Sequence, residues 1–292
     1  MRDFLQFVVI GLSLGGIYAS LALAIVLIYR ATRVVNFAQG EMAMFTTFIA
    51  WAMIDRGLPY WGAFFATLAI AFAAGVVLER TVIRPIEGGP ALTVVMLTIG
   101  LLIALNGAAF WIWGGEPKSF PSAFSARTVD VGGVVFSIQD AGTIGVTLGA
   151  VGLLWLFFRY TKVGLGLRAA AVNPDASRLV GVPVGWMLAL GWGLAAMLGA
   201  VSGMLVAPSL FLEPNMMRPV LLYAFAAAVL GGLDSPIGAV VGGLTVGVGI
   251  ELLEAYVDPV KGLQLPVALG VILVVLLVRP EGLLGRVAAR RV

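Results

Sequence analysis

Residues 159–184 read RYTKVGLGLRAAAVNPDASRLVGVPV and lie between two strongly apolar segments. The stretch contains Arg159, Lys162, Arg168 and Arg178, and Asp175 is its only acid. Because so many charges belong in water, we expect these residues to form a loop at the surface of a membrane that the flanking segments cross.

The second half of this stretch carries the signals that begin and end a helix. Asn173 is a good N-cap, and Pro174 stands at the first helical position, where its missing N–H costs nothing. Asp175 lies in the first turn, where a negative charge suits the helix dipole, and Gly181 can adopt the left-handed stop. The sequence therefore predicts a helix of about two turns over Pro174–Val180, too short to be stable in water without a docking partner.

Two interpretations of this short helix remain open from its residues alone. It is either a capped helix within a loop, or a helix that presents Ala176, Leu179 and Val180 to the groove of another protein. The rest of the chain has to decide between them.

The composition is that of a polytopic membrane protein. The 292 residues are 61% hydrophobic and 11% charged, with a mean hydropathy of +1.05, whereas soluble domains carry about 25% charged residues. The net charge of +3 does not indicate a nucleic-acid partner, because the basic residues fall in short loops between apolar runs. The chain has no cysteine and no histidine, which excludes disulfides, thiol catalysis and histidine-ligated metals.

Nine apolar runs predict an all-α bundle of about eight to nine transmembrane spans, some of them short or broken, in a single transmembrane domain over residues 1–292. The first run is too long for a signal-peptide core and is taken as a retained helix. The predicted spans are Phe4–Tyr29, Glu41–Met53, Tyr60–Leu78, Ala91–Trp113, Ile138–Phe158, Trp186–Ala207, Val220–Leu230, Ile237–Tyr256 and Leu263–Val278.

The basic residues orient these spans. With the N-terminus outside and every segment crossing, 12 of the 18 Lys and Arg residues lie inside and 6 outside. The inner ones are Arg30, Arg33, Arg80, Arg84, Arg159, Lys162, Arg168, Arg178, Arg279, Arg286, Arg290 and Arg291. If the run at 220–230 dips in and returns, the tally becomes 9 against 9, so the positive-inside rule favours full crossing. Loop 159–185 is then cytoplasmic, and loop 114–137 lies outside, with a short hairpin predicted around Gly132 and Gly133.

Glycine pairs within the apolar runs predict close helix packing. The small-xxx-small pairs are Gly11–Gly15, Gly145–Gly149, Gly199–Gly203, Gly238–Gly242 and Gly243–Gly247. Such pairs let helices approach closely where no hydrophobic effect drives them together.

Two stretches look like interrupted helices. In residues 36–41 (NFAQGE), Asn36 can cap the following helix, and Gln39 can bond back as in a capping box. In residues 231–236 (GGLDSP), Ser235 is placed as the next N-cap. Interrupted segments mark the substrate route in transporters, so both stretches are expected at membrane depth beside it, the alternative being loops at the surface. The predicted substrate path comprises Asn36, Gln39, Gly40, Glu41, Gly231, Gly232 and Ser235.

Other polar residues in the spans are few. Ionisable residues are close to absent at mid-span, which argues against a proton- or ion-coupled carrier. We expect Asn106 to make a hydrogen bond between helices. Glu251 and Glu254 are expected on a solvated face near the end of a span.

Several stretches resemble one known family. Residues 11–44 (GLSLGGIYASLALAIVLIYRATRVVNFAQGEMAM) closely resemble the N-terminus of permease subunits of branched-chain amino acid ABC importers, the LivH-like permeases. Residues 164–184 are similar to that family's cytoplasmic coupling segment, and residues 225–256 and 278–285 to its C-terminal half. Gln39 departs from the family's usual N-F-A-H-G-E pattern, where histidine is common. The similarity of residues 164–184 to the family's coupling segment assigns ATPase coupling to Arg168, Asn173, Pro174, Asp175, Ala176, Leu179 and Gly181.

The resemblance implies a multi-pass subunit of the bacterial cytoplasmic (inner) membrane that is not itself an enzyme. No G-x-x-x-x-G-K-[ST] motif occurs in the chain, so we expect it to bind no cofactor and ATP to be bound by two separate ATPase subunits. A second homologous permease subunit and an extracytoplasmic binding protein are the other implied partners. The expected cargo is a branched-chain or similar small amino acid. The alternatives are urea, short amides or another small organic solute, or a secondary transporter or channel.

Overall fold

The chain folds into a bundle of helices with one small hairpin. The computed structural model describes residues 2–86, 88–125, 127–131, 134–279 and 281–285. The helices are α1 (Arg2–Thr32), α2 (Gln39–Asp55), α3 (Tyr60–Leu78), α4 (Ala91–Trp113), α5 (Ile138–Tyr160), α6 (Lys162–Val172), α7 (Pro174–Leu179), α8 (Val184–Leu210), α9 (Met217–Gly231), α10 (Pro236–Tyr256) and α11 (Gln264–Val278). The strands are β1 (Thr128–Val131) and β2 (Val134–Ser137), which pair antiparallel.

The helix lengths confirm the predicted transmembrane architecture. Six helices in the described ranges are long and apolar enough to cross a membrane: α1, α4, α5, α8, α10, and α3 with its continuation to Ile86. The two runs predicted to be short, at Glu41 and Val220, are α2 and α9, which have 17 and 15 residues. Helix α11 is also short, with 15 residues. Helix α6 was not predicted, although its buried residues Gly164, Leu167 and Ala170 recur every three positions. It begins where the Thr161 hydroxyl accepts a hydrogen bond from the N–H of Gly164 at 2.9 Å.

Helix α1 lies at the centre and touches α10 through bare backbone. A Cβ atom added at Gly15 would lie 2.9 Å from Cα of Leu244, and one added at Gly247 would lie 2.4 Å from Cα of Gly15. Gly11 meets Cα of Val248 in the same way, at 2.6 Å. The pairs at 11–15 and 243–247 therefore serve close helix packing, as predicted.

The glycine pair on α5 does not follow that prediction. Atoms added as Cβ at Gly145 and Gly149 would have no neighbour within 4 Å. Helix α5 packs on α1 through other residues, such as Thr147, whose hydroxyl would lie 2.4 Å from a Cβ at Gly16. These two glycines face away from the rest of the described chain.

Contacts at the two ends of α1 show which helices cross. Near its start, the ring of Phe7 lies 5.9 Å from that of Tyr256 at the end of α10. Beyond its end, Arg33 pairs at 2.6 Å with Asp234, which precedes α10. Helix α9 begins after the outer end of α8, where Leu212 forms a β-bridge with Lys118 of the outer loop, and it ends beside Asp234. It therefore runs from one side of the bundle to the other, as full crossing of this segment requires.

The outer loop contains the predicted hairpin, with Val129 opposite Phe136 in its register. After it, Ser137 and Asp140 form a complete capping box that starts α5. The predicted turn at Gly132 and Gly133 lies outside the described residues, as do the inner arginines 286, 290 and 291.

The orientation can be tested by labelling, because the native chain contains no cysteine. Ser119 is exposed in the outer loop, and Lys162 is exposed at the start of α6. We expect Ser119→Cys to react with a membrane-impermeant maleimide in intact cells. Lys162→Cys should react only after permeabilisation. Labelling of Lys162→Cys from outside would show that the true orientation is the reverse of the predicted one.

Candidate functional site

Helix α2 begins deep inside the bundle, at residue 39. The Gln39 side chain is fully buried, and its Nε2 donates a hydrogen bond to the carbonyl oxygen of Ala195 at 3.0 Å. Ala195 lies eleven residues beyond Val184, the first residue of α8, which places it roughly 16 Å along that helix. The break between α1 and α2 is therefore close to the middle of α8, far from its ends.

Asn36 stabilises this break, although it is not the predicted N-cap. The N-cap of α2 is Ala38, with φ −80° and ψ 0° and no side-chain cap. Asn36 instead closes the turn through its Oδ1, which accepts from the N–H of Ala38 at 3.0 Å. Its Nδ2 donates to Oε1 of Gln39 at 3.3 Å, so Gln39 bonds a side chain and not the backbone of a capping box. The capping-box prediction was wrong because the helix starts two residues later than it assumed.

Small residues on α8 make room for α2. A Cβ at Gly199 would lie 2.8 Å from Nε2 of Gln39, and one at Gly203 would lie 2.3 Å from Oγ1 of Thr47. This pair packs helices closely, as predicted. On the other side, Gly40 faces α9, where a Cβ would meet the side chain of Leu221 at 3.3 Å.

One carboxylate is buried beside the break, which corrects the expectation that the spans hold almost no charge. Glu41 is only 3% exposed, and its Oε2 accepts a hydrogen bond from Nδ2 of Asn106 at 3.3 Å. Asn106 also donates to the carbonyl oxygen of Pro214 at 2.9 Å, so the predicted bond between helices is confirmed. Arg218 lies near enough to attract the carboxylate. The sequence did not reveal this burial, because Glu41 is near the start of a short helix and helix starts are usually found at the membrane surface.

The second predicted break, residues 231–236, connects the end of α9 to the start of α10. Ser235 is the N-cap of α10, as predicted, and its Oγ accepts from the N–H of Gly238 at 3.0 Å. Gly232 ends α9 with φ +104°. The exposed pair of Arg33 and Asp234 holds this turn beside the end of α1. It is therefore a turn at the surface of the bundle, as the alternative interpretation proposed.

The glycines of this turn have a packing role. A Cβ at Gly231 would lie 1.9 Å from the carbonyl oxygen of Gly238, so a side chain would force α9 and α10 apart. The C-terminal segment covers the end of α9, since the N–H of Leu283 bonds the carbonyl of Leu230 at 2.7 Å and that of Leu284 bonds Gly231 at 3.1 Å. These bonds satisfy carbonyl groups that a helix end leaves without partners.

The structure forms the predicted short helix on the inner side as α7, with its termini as expected. Oδ1 of Asn173 accepts from the N–H of Ala176 at 3.0 Å, Pro174 occupies the first turn, and Gly181 has φ +82°. Asp175 pairs with Arg178 at 3.1 Å, a highly exposed pair that contributes little stability.

The face of α7 that points away from the bundle is apolar and uncovered. Leu179 is 89% exposed and Val180 is 78% exposed, and Ala176 is exposed beside them. Arg168 lies apart from this face, on α6.

The first turns of α8, which follow this inner loop, pack against residues of other helices. The guanidinium of Arg80, after α3, lies 3.3 Å from the ring centre of Trp186. Leu167 of α6 packs in one cluster with Val184 and Leu188 of α8. The inner loop and the first turns of α8 thus form one packed unit. Sequence reasoning missed the Arg80 contact, since nothing local links residues so far apart.

Glu251 and Glu254 are half-buried, which corrects the expectation of a solvated face. Glu254 accepts a hydrogen bond from Nε2 of Gln264 on α11, and Gln264 in turn accepts from the hydroxyl of Tyr223 at 3.4 Å. These residues link α9, α10 and α11 near the outer side.

The Gln39 bridge predicts a measurable contribution to stability. Gln39→Leu removes the bonds to both Asn36 and Ala195 and leaves the buried amide of Asn36 without that partner. We expect a loss of about 1–3 kcal/mol, seen as a lower Tm of the purified protein in detergent. Gln39→His keeps a ring N–H for the Ala195 carbonyl and should retain most of the stability. Equal Tm values for the leucine variant and the native protein would show that the bridge contributes nothing.

Comparisons with known proteins identify the family of this chain. Residues 7–278 match the family described as the permease component of branched-chain amino acid transport systems. The chain is 32% identical to the high-affinity branched-chain amino acid permease BraD of Pseudomonas aeruginosa and 30% identical to LivH of Escherichia coli K12; each match covers 99% of this chain and 98% of the relative. A probable LivH permease of Methanocaldococcus jannaschii is 28% identical over 91% of this chain and 87% of its own length. The chain belongs to the family of permease components of branched-chain amino acid transport systems.

Proposed function

We propose that this chain is the membrane-spanning permease of an ATP-driven importer that passes branched-chain or similar small amino acids into the cell. A binding protein outside the membrane delivers the amino acid, and two separate subunits bind and hydrolyse ATP. A second permease subunit, identical or homologous, completes the pore. The near full-length match to the family supports the cargo, and the exposed helix α7 is the observation that supports the ATP-driven mechanism.

Helix α7 has the properties of a docking helix. It has only six residues, and its last residue Leu179 and the following Val180 point away from the rest of the described chain. In water such a surface favours burial against another protein, and a capped two-turn helix fits a groove. We therefore assign this face to contact with an ATPase subunit.

A continuous structure connects this docking face to the buried break. Four residues separate α7 from α8, and Pro183 restricts the backbone of the turn between them. Helix α8 then carries Ala195, to which Gln39 is bonded. A displacement of α7 by the ATPase would move α8 as a rod and with it the start of α2. In this way ATP hydrolysis would change the substrate path at the start of α2.

The start of α2 supplies the polar groups that a zwitterionic amino acid needs. Crossing hydrocarbon with its charges unpaired would cost the substrate several kcal/mol or more. The N-terminus of α2, at residues 39–41, directs the positive end of its dipole into the bundle and suits a carboxylate. The Glu41 carboxylate suits an ammonium group. We place the substrate path along Asn36, Gln39, Gly40 and Glu41, and we leave out Gly231, Gly232 and Ser235, which form a turn at the surface of the bundle.

Leu179 provides a test of coupling. Leu179→Glu places a charge in the proposed apolar contact, so we expect ATPase subunits to be lost on purification and ATP-dependent uptake in proteoliposomes to fall at least tenfold. Leu58→Glu is the matched control, because Leu58 is an exposed leucine on the outer side. It should retain both properties. Normal uptake by the Leu179→Glu importer, or uptake without any ATPase subunit, would contradict the proposal.

Glu41 provides a test of the path. Glu41→Gln keeps the shape and the bond to Asn106 but removes the charge, so the rate of leucine uptake should fall about tenfold or more while assembly and Tm persist. The exposed Glu116 in the outer loop is the matched control, and Glu116→Gln should transport normally. An unchanged rate in the Glu41→Gln importer would exclude the charge from the path. Competition between leucine and urea in the same assay separates the proposed cargo from the alternative.

A further inference from the structure

A wide groove opens on the cytoplasmic half of the bundle, between α5 and α10. Its volume is about 580 Å³, and Leu23 and Leu27 of α1 form its floor. Val151 and Trp155 of α5 line one wall, and Val241 of α10 lines the other. The groove is therefore apolar along most of its length and open toward the surroundings of the bundle.

The inner end of this groove is basic. Arg30, Arg159 and Arg168 contribute to its lining, and they come from three different helices, α1, α5 and α6. Aspartate and glutamate are absent from the lining within the described part of the chain. The guanidinium of Arg159 also lies 5.5 Å from the ring centre of Trp155, a combination typical of a membrane interface. The groove thus joins an apolar channel to a positively charged rim.

The dimensions of the groove match one leaflet of a bilayer. Arg159 at the rim and Leu148 at the far end are eleven residues apart on α5, which corresponds to roughly 16 Å. Half of a bilayer's hydrocarbon core is about 15 Å thick. A molecule with a charged head at the arginines would have its hydrocarbon chains beside Val151 and Leu148.

A glycine on α5 keeps the groove open. Gly152 lines it, and a Cβ added there would have no neighbour within 4 Å. The space beside this glycine is therefore not used for packing within the described chain, unlike that beside the glycines of α1 and α10. A large side chain at this position would occupy the groove without displacing backbone.

We infer that this groove binds an anionic phospholipid from the cytoplasmic leaflet. The phosphate and the acidic head lie against Arg159 and Arg168, and an acyl chain lies along the α1 floor past Trp155. A zwitterionic lipid fills the same apolar channel but brings no net charge to the rim. Selectivity for the anionic head follows from the charge of the arginines.

Trp155 reports directly on this site. The assembled importer is placed in nanodiscs that contain either brominated phosphatidylglycerol or brominated phosphatidylcholine at the same mole fraction, because bromine quenches a tryptophan that it touches. Trp155→Phe measured in parallel isolates the contribution of this one ring. We expect phosphatidylglycerol to associate with the Trp155 site several times more strongly than phosphatidylcholine.

Variants separate the head from the chain. Arg159→Gln and Arg168→Gln should each lower the preference for phosphatidylglycerol about fivefold, whereas Lys162→Gln, a nearby charge outside the groove lining, should not. Gly152→Leu should reduce quenching at Trp155 by both lipids. Gly100→Leu is its matched control, since Gly100 on α4 also has open space around it, and it should leave quenching unchanged.

Three results would overturn the inference. Equal quenching by the two lipids in the native importer would show a general lipid contact without selectivity. Quenching in the isolated permease that disappears in the assembled importer would show that the groove is covered by another subunit. Selective quenching that survives both arginine substitutions would likewise remove the proposed headgroup site.

Discussion

The arrangement of the bundle depends on the contact between the backbones of α1 and α10. No hydrophobic effect draws helices together inside a bilayer, so van der Waals contact has to supply the attraction, and it is largest where no side chains intervene. At Gly15 and Gly247 the two main chains touch directly. The same central helix holds α8, through the bond from Ser202 to the Ile17 carbonyl at 3.2 Å, and α9, through Tyr18 and Tyr223.

Helix α8 extends this order to the proposed path. One of its faces meets α1 through Ser202, and another face, with Gly199 and Gly203, admits α2. Because α2 starts inside the bundle, its first turn needs polar partners that water cannot provide. Asn36 and Gln39 supply side-chain partners there, and the Ala195 carbonyl anchors them to α8. A buried polar network of this kind is fixed in place only as long as all its members are present.

The sequence revealed those features that local chemistry determines. The helix of residues 174–179 was predicted nearly to the residue, because its cap, its proline and its terminal glycine all lie within a few positions. The apolar runs likewise predicted the nine longest helices of the described residues. Residues 231–236 carry equally clear capping signals, but such signals do not report depth, and the turn proved to lie at the surface of the bundle. Depth depends on distant partners, such as Ala195 for Gln39 and Asn106 for Glu41, which no local pattern names.

The central position of α1 has a consequence for how the protein is made. Its main partners, α8 and α10, begin at residues 184 and 236, so the N-terminal helix enters the membrane long before either exists. At roughly 5–20 residues per second, the ribosome needs about 10–40 s to reach α10 after completing α1. During that interval the face of α1 that carries Gly11 and Gly15 lacks its partner α10. The central contact of the bundle therefore cannot form until α10 has been synthesised. A nascent chain that stops before α10 would leave the glycine face of α1 without its partner.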